Sequence, residues 1–162
     1  MKTILLIRHA KSSWESNEDD FDRPLNSRGE NDAPMMAKRL VKRNIKLDVL
    51  ISSPAKRAIS TAFYFAKAYD IKKTEIIRSG FLYEPTVASF YKAIEHVDDA
   101  FESVAVFSHN PAITGFANSL TTVKIDNLPT CSVFAIKANI TKWKDFPEGS
   151  KSFFFFDFPK QP

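Results

Sequence analysis

Two histidines and two arginines stand close to the points where apolar runs of this chain end. Arg8 and His9 directly follow the run Ile4–Ile7, and Arg57 and His109 come soon after two later runs. An arginine side chain is a planar fork of N–H donors that binds phosphate oxygens in pairs and keeps its charge. Helix N-termini, which the later serine-proline and asparagine-proline pairs predict near the ends of these runs, add backbone N–H donors and a positive dipole end. These residue types together predict a site for a phosphoryl group.

The apolar runs have the character of strands buried on both faces, which is typical of a parallel sheet. The candidate strands cover residues 4–7, 47–51, where Asp48 is the one polar residue, and 104–107, with a weaker candidate at residues 75–77. Helical patterns alternate with them through residue 120, which predicts an α/β fold, a three-layer α/β/α sandwich with a mostly parallel central sheet. If the strands are parallel neighbours, their carboxyl ends share the edge of the sheet where ligands of such folds bind. That edge would gather the two arginines and the two histidines.

The first helix has two possible starts. Ser27 and Glu30 have the spacing of a capping box, which favours a start at Ser27. Pro34 conflicts with so early a start, so the helix is either kinked or begins nearer Asp32.

Later helices and strands are indicated by shorter signals. A capping residue followed by proline is typical of a helix start, and it occurs at Ser53-Pro54 and Asn110-Pro111. Thr86 is a further N-cap candidate. The segments 131–136 and 153–158 have the character of late strands, and Cys131 is expected to be buried in the first of them.

The composition predicts one globular domain spanning residues 1–162, large enough to bury a core. The formal net charge of +4 would suit nucleic acid or an anionic substrate. Lysines and arginines are spread along the chain without a dense run, so we expect no nucleic-acid partner.

The cysteine and histidine counts and the length of the N-terminal apolar run indicate the cellular compartment and whether a disulfide, a membrane span or a metal site is expected. Cys131 is the single cysteine, which excludes an intrachain disulfide and favours a reducing cytoplasm. The N-terminal apolar run is far too short for a signal peptide or a membrane span, so we expect no membrane association. One cysteine and three histidines without a ligand pair at close spacing predict no metal site.

Each candidate residue also has a purely structural interpretation. Arg57 could be a solvated charge on a helix surface, and His109 could satisfy a loop. Arg8 and His9 are harder to explain in this way, because both abut a buried strand.

The sequence Arg8-His9-Ala10 resembles the Arg-His-Gly signature of the histidine phosphatase superfamily, whose fold is called phosphoglycerate mutase-like. A longer set of motifs, in the same order along the chain, is similar to the SixA-type phosphohistidine phosphatase branch. The set comprises Arg8–Trp14, Asp22–Leu25 with Arg28-Gly29, Ser52–Pro54 with Arg57-Ala58 and Thr61-Ala62, and Ser108–Pro111.

The resemblance implies a role for each matched residue. His9 corresponds to the nucleophile that becomes phosphorylated, and Arg8, Arg57 and His109 correspond to the residues that hold the phosphoryl group. Glu84 stands about where family members carry an acidic residue, so it is either the general acid or a loop carboxylate paired with a lysine. The family needs no metal or organic cofactor.

Two departures from the family pattern bear on the activity. Ala10 replaces the more common glycine, as in many SixA-like members. Glu15 follows Trp14 in this sequence, whereas the mutases carry an asparagine shortly after that tryptophan, which disfavours a mutase.

The sequence therefore predicts a metal-independent phosphatase acting on a phosphohistidine-bearing protein, such as a phosphotransfer domain. One alternative is a phosphomonoesterase acting on a small sugar or nucleotide phosphate. The other is a catalytically weak module that binds phosphoproteins, although binding alone does not require a nucleophile.

Overall fold

The computed structural model describes residues 1–15 and 17–161, and in that part of the chain six strands form one sheet. The strands are β1 (Lys2–Arg8), β2 (Val49–Ser52), β3 (Ile77–Arg78), β4 (Ser103–Ser108), β5 (Val133–Ala138) and β6 (Lys151–Asp157). Their order across the sheet is β3-β2-β4-β1-β5-β6. The first four in that order run parallel, while β5 and β6 are antiparallel to their neighbours. The predicted, mostly parallel sheet is confirmed.

Helices cover both faces of the sheet and make three layers. They are α1 (Ser27–Lys42), α2 (Lys56–Ala68), α3 (Val87–Glu95) and α4 (Ala112–Leu120). One apolar core lies between the sheet and α1 and α2, and a second lies between the sheet and α3 and α4. Short 3-10 turns occupy Asp20–Asp22, Lys73–Glu75, Gly80–Leu82 and Trp143–Asp145. The α/β/α sandwich predicted from the alternating pattern is confirmed.

Strand β1 contributes side chains to both cores. Leu5 and Ile7 pack beneath α1 and α2, whereas Ile4 and Leu6 pack beneath α3 and α4. All four are fully buried. Two covered faces explain why this strand has an unbroken apolar run in place of an alternating one.

The carboxyl ends of β1, β2 and β4 lie level on one edge of the sheet. Arg8 is paired with Ser108 across the parallel β1–β4 ladder. Beyond the strands, the N–H of His9 donates to the carbonyl of Ser108 at 3.1 Å, and the N–H of Ser53 donates to the carbonyl of Phe107 at 2.9 Å. The residues that follow these three strands therefore start from adjacent backbone positions.

Helix α1 begins at Ser27, the earlier of the two starts considered, but its cap is a different residue. The side chain of Asn26 accepts the N–H of Gly29 at 2.9 Å, so Ser27 already belongs to the helix. The capping-box prediction is therefore wrong. Pro34 lies inside the helix, where it removes one N–H donor from the ladder without ending it.

Helices α2 and α4 begin later than their proline signals predicted. Helix α2 starts at Lys56, and the Ser53 hydroxyl instead accepts the N–H of Ala55 at 3.2 Å. Helix α4 starts at Ala112, directly after Pro111. The capping role predicted for Thr86 is confirmed, since α3 begins with a reciprocal capping box at that residue.

The later strands are shifted from their predicted bounds by about two residues, as boundaries read from sequence often are. Cys131 is buried as expected, but its φ of 61° excludes it from β5. Its N–H donates to the carbonyls of both Arg8 and His9, at 3.0 and 3.1 Å. This turn therefore fastens the end of β1. None of the helices in the described part of the chain combines the length and apolar character needed to cross a membrane.

Candidate active site

The four side chains singled out by the sequence line one cavity of about 270 Å³ at the shared edge of the sheet. His9, Arg57 and His109 are 7%, 6% and 5% exposed, and Arg8 is half-buried. The ring centroids of His9 and His109 lie 5.2 Å apart. The other lining residues are Lys11, Ser12, Trp14, Asp20, Arg23, Asn110 and Thr130. A larger surface cavity of about 650 Å³, which runs along α2, contains none of the four side chains.

The imidazole of His9 is held in one orientation by the backbone that follows it. Its Nδ1 lies 2.7 Å from the carbonyl oxygen of Ala10. Because a carbonyl oxygen can only accept, Nδ1 carries the hydrogen and Nε2 of the neutral ring keeps its lone pair. Nε2 is therefore the atom of His9 that can act as a nucleophile or a base.

The surroundings of His9 keep this ring neutral. Burial lowers the pKa of the His9 imidazole well below its usual value, although the hydrogen bond to Ala10 acts in the opposite direction. The neighbouring His109, Arg57 and Arg8 lower the pKa further. A cationic imidazole has no lone pair to offer, so this environment favours the form that can attack an electrophile.

His109 is held by a hydroxyl from the neighbouring strand end. Its Nε2 lies 2.8 Å from Oγ of Ser53, which already accepts the N–H of Ala55. The Ser53 hydroxyl can donate to Nε2, which places the ring hydrogen on Nδ1. That Nδ1 is buried and has no hydrogen-bond partner within residues 1–15 and 17–161. Burial first, and then the charge of Arg57, lower the pKa of His109 to about 3.

Arg57 lies in the first turn of α2, which carries its guanidinium back toward the cavity. Its Nη1 donates to the carbonyl of Asp20 at 2.7 Å, and its Nη2 donates to Oδ2 of the same residue at 3.1 Å. Its Nε is buried without a hydrogen-bond partner among the described residues. The solvated helix-surface interpretation of Arg57 is wrong, because the side chain turns inward.

Arg8, like Arg57, has one nitrogen without a hydrogen-bond partner in the described part of the chain, while another nitrogen is bonded to the protein. Its Nη1 donates to the carbonyl of Leu128 at 2.8 Å, which fixes the guanidinium against the loop before β5. Its Nε is buried, with no hydrogen-bond partner in the part of the chain that the structure describes. Arg8, Arg57 and His109 thus each keep one buried nitrogen available beside the cavity. An unpaired buried donor is costly, so an anion with several acceptor oxygens would be stabilised here.

Asp20 and Arg23 are lining residues to which the sequence analysis assigned no role. Asp20, on the short turn before α1, receives hydrogen bonds from three side chains. Arg23 donates from Nε to Oδ1 of Asp20 at 3.2 Å and from Nη1 to Oγ of Ser12 at 2.8 Å. Its guanidinium also stacks 3.7 Å from the ring centre of Trp14. The motif Asp22–Leu25 contained a signal for Arg23 but was interpreted as a loop, and nothing local distinguishes Asp20 from its acidic neighbours.

Glu84 differs from the other predicted residues because it does not line the cavity. Its side chain is exposed, and its φ of 47° places the backbone in the left-handed region. Its neighbour Tyr83 lies closer to the site, with its ring centroid 5.7 Å from that of His109 and its hydroxyl donating to Oδ2 of Asp20 at 2.8 Å. Among the described residues Glu84 forms no ion pair, so the pairing with a lysine is absent. Its role as a general acid stays a prediction.

The charges around the cavity favour an anionic ligand. Arg8, Lys11, Arg23 and Arg57 contribute four cations, against the single carboxylate of Asp20. Such an excess attracts and orients a phosphoryl group more strongly in a partly buried cavity than it would in bulk water. In the described residues no group of three or more His, Cys, Asp and Glu side chains is arranged to hold a metal ion.

About half of the chain is similar to a curated protein. An 81-residue stretch is 36% identical to phosphoserine phosphatase 1 from Hydrogenobacter thermophilus, covering 48% of this chain and 36% of that protein. The match therefore spans about a third of the length of that relative.

Solved structures match over nearly the whole chain. SixA from Agrobacterium tumefaciens superposes with a TM-score of 0.81 at 22% identity, covering 98% of both chains. A protein histidine phosphatase SixA complexed with tungstate superposes with a TM-score of 0.82 at 17% identity, covering 97% of both chains. A mycobacterial glucosyl-3-phosphoglycerate phosphatase gives a TM-score of 0.70 at 12% identity, covering 98% of both chains. At such low identities these likenesses establish the fold alone.

The family is established by a sequence model. The model of the histidine phosphatase superfamily, branch 1, matches residues 4–84. That half of the chain contains Arg8, His9 and Arg57, while His109 lies beyond the match and reaches the same cavity through the fold. The chain belongs to the histidine phosphatase superfamily.

Proposed function

We propose that this protein is a phosphatase that removes the phosphoryl group from a protein histidine through a phosphorylated His9. The observation that carries the proposal is the hydrogen bond of 2.7 Å between Nδ1 of His9 and the carbonyl of Ala10. It leaves a lone pair on Nε2 of a buried, neutral imidazole in a cavity lined by arginines. A protonated ring, or a ring that donates an N–H, would be sufficient to bind an anion. Attack on phosphorus instead requires a neutral ring with a free lone pair on Nε2.

The reaction has two displacements at phosphorus. In the first, Nε2 of His9 forms a bond to phosphorus while the bond from phosphorus to the ring nitrogen of a protonated substrate phosphohistidine breaks, and the substrate leaves as a neutral imidazole. In the second, the oxygen of water attacks phosphorus and the bond to Nε2 breaks. The bonding electron pair returns to Nε2 of neutral His9, and inorganic phosphate is released with its excess proton passing to solvent. Arg8, Arg57 and Nδ1 of His109 hold the three phosphoryl oxygens in both steps. Positioning and charge stabilisation supply most of the rate, as in other phosphoryl transfers.

A protein substrate is supported by the near full-length likeness to SixA, one structure of which carries tungstate. A phosphohistidine places its phosphorus at the end of a long side chain, which suits the small cavity of about 270 Å³. Its imidazole leaves readily once protonated, so it demands little from a general acid.

A phosphate monoester is the second candidate substrate. It is favoured by the 36% identity of the 81-residue stretch to a phosphoserine phosphatase. An alkoxide leaving group needs a proton donor. Among the residues that the family resemblance implies, that donor would be Glu84, whose carboxylate lies outside the cavity lining.

The test compares phosphate release from a phosphohistidine phosphotransfer domain, phosphoserine and sugar phosphates, with and without a chelator. We expect the highest kcat/KM on the phosphohistidine protein and no effect of the chelator. His9→Ala should lose at least about a thousandfold in kcat, as for other nucleophile deletions. His96→Ala, which changes an exposed histidine on α3's end, is the matched control and should behave like wild type.

Trapping completes the test. Wild-type protein quenched during turnover of labelled substrate should carry an acid-labile phosphoryl group on His9. Turnover by His9→Ala would reject the nucleophile, and loss of activity with chelator would reject metal independence. Binding of the phosphoprotein without any phosphate release would instead support the binding-module alternative.

A further inference from the structure

Asp20 collects hydrogen bonds from residues on three different parts of the fold. Its Oδ2 accepts from Nη2 of Arg57 at 3.1 Å and from the hydroxyl of Tyr83 at 2.8 Å, and its Oδ1 accepts from Nε of Arg23 at 3.2 Å. Its backbone carbonyl accepts a further bond from Nη1 of Arg57 at 2.7 Å. One residue thus contacts two cations and one hydroxyl beside the phosphoryl cavity.

The contact with Arg57 determines which donors that side chain offers. Both terminal nitrogens of the guanidinium are engaged by Asp20, one by the carbonyl and one by the carboxylate. A guanidinium held at two points cannot rotate about its last bonds, so its buried Nε and outer hydrogens keep a set direction. The orientation of Arg57 therefore depends on Asp20.

We propose, on the basis of the function proposed above, that Asp20 is a positioning residue that holds Arg57 in place and weakens the binding of free phosphate. The second effect follows from charge. Asp20 is the only carboxylate among the described lining residues, which include four cations. Its negative charge repels a phosphate dianion in the same cavity, so the product leaves more readily than it would from an uncompensated cluster.

The carboxylate stays ionised under working conditions. Burial by itself would raise the pKa of the Asp20 carboxyl. The hydrogen bond from the Tyr83 hydroxyl, the charge and hydrogen bond of Arg57 and the hydrogen bond from Arg23 outweigh burial and hold the pKa below its usual value. The negative charge is therefore present throughout the neutral range.

A purely structural ion pair is a poorer explanation of these contacts. Asp20 lies on a three-residue turn with no buried residue, and its side chain is 52% exposed. Exposed ion pairs contribute little to the free energy of unfolding. Removing this carboxylate should therefore change the kinetics of the site far more than the stability of the fold.

The experiment uses Asp20→Ala and Asp20→Asn, with Asp19→Ala as the control that removes a neighbouring negative charge. The affinity for inorganic phosphate is measured by calorimetry, and kcat and KM are measured on a phosphohistidine phosphotransfer domain. For Asp20→Ala we expect kcat to fall about tenfold to a hundredfold while phosphate binds about threefold to tenfold more tightly. For Asp20→Asn we expect much of kcat to return, because an amide oxygen can still accept from Arg57, while phosphate binding stays tight.

Other outcomes would overturn the proposal. Equal kcat and phosphate affinity in Asp20→Ala and Asp19→Ala would remove both claimed effects. If Asp20→Asn were as slow as Asp20→Ala, Asp20 would act by transferring a proton during the reaction and not by positioning Arg57. Weaker phosphate binding together with a lower melting temperature in both Asp20 variants would make the residue structural. Absence of turnover in wild-type protein would reject the proposed function instead, and the calorimetric comparison would still decide whether Asp20 weakens phosphate binding.

Discussion

Oγ of Ser53 lies 2.8 Å from Nε2 of His109. The residue that follows β2 therefore orients the imidazole ring of the residue that follows β4. The two are fully or nearly buried, at 0% and 5% exposure. A hydroxyl at this position fixes which ring nitrogen of His109 is left to face a ligand. The pair therefore connects two strand ends to the chemistry of one cavity.

Removal of this hydroxyl should slow catalysis through His109. We expect Ser53→Ala to lower kcat on a phosphohistidine substrate by about tenfold, since the imidazole loses its partner while the rest of the cavity is kept. The same change in a His109→Ala background should cause almost no further loss, because the two residues act as one unit. Independent, multiplying losses in the double variant would contradict this coupling.

Glu84 provides a test that separates the two candidate substrates. Protein phosphohistidine should tolerate Glu84→Gln with little loss, because imidazole is a good leaving group. A phosphate monoester should lose much more if Glu84 is its proton donor. The measurement is the ratio of kcat/KM values for wild type and variant on each substrate, with Glu95→Gln on α3 as a charge-matched control. Equal losses on both substrates would reject an acid role for Glu84.

The buried neutral state of His109 should make the fold sensitive to acid. In the unfolded chain this histidine takes up a proton near its ordinary pKa, whereas in the folded chain its pKa is lowered to about 3. The unfolded state therefore binds more protons at mildly acidic pH, and the free energy of unfolding falls as pH decreases. Between about pH 7 and about pH 5 this one group should remove about 2 kcal/mol.

Urea unfolding at the two pH values measures this effect. In His109→Asn the side chain at position 109 does not titrate in this range. The loss of stability of this variant on acidification should therefore be smaller than that of wild type by about 2 kcal/mol. A variant with the same pH dependence as wild type would mean that His109 is not held neutral by the fold. His96→Asn, which changes an exposed histidine, controls for the general effect of removing an imidazole.

Gly29 should be required for the loop that supplies Lys11 to the cavity. A Cβ added at Gly29 would collide with the carbonyl oxygen of Lys11, which also accepts the N–H of Asn26 at 3.0 Å. We expect Gly29→Ala to destabilise the fold by about 1–3 kcal/mol and to lower activity, because this segment of loop must move. Gly80→Ala is the matched control, since nothing lies within 4 Å of its added Cβ. Thermal unfolding and kcat/KM of the two variants provide the comparison, and equal behaviour would show that the close approach is unimportant.

The local hydrophobic pattern of the sequence was sufficient to predict the α/β architecture. Short, largely apolar runs predicted β1, β2 and β4, because a strand covered on both faces needs mainly apolar side chains. The same runs located Arg8 and His9, since polar residues that interrupt a buried strand must lie at its end. Element boundaries were less accurate. The serine and asparagine before proline were predicted to cap α2 and α4, but Ser53 hydrogen-bonds to His109 and Asn110 accepts from Thr114.

The immediate surroundings of the four predicted residues depended on tertiary contacts. Asp20 lies 37 residues from Arg57 and 63 residues from Tyr83, and Ser53 lies 56 residues from His109. Propensity and periodicity report on neighbours within a few turns of a helix or strand, and they contain no information on pairs so far apart. The sequence by itself thus determined the mostly parallel character of the sheet, the family resemblance and the identity of the basic groups. Only the packing of loops over the sheet edge decided that a carboxylate, a hydroxyl and a tyrosine would hold those groups, because that packing depends on the whole chain.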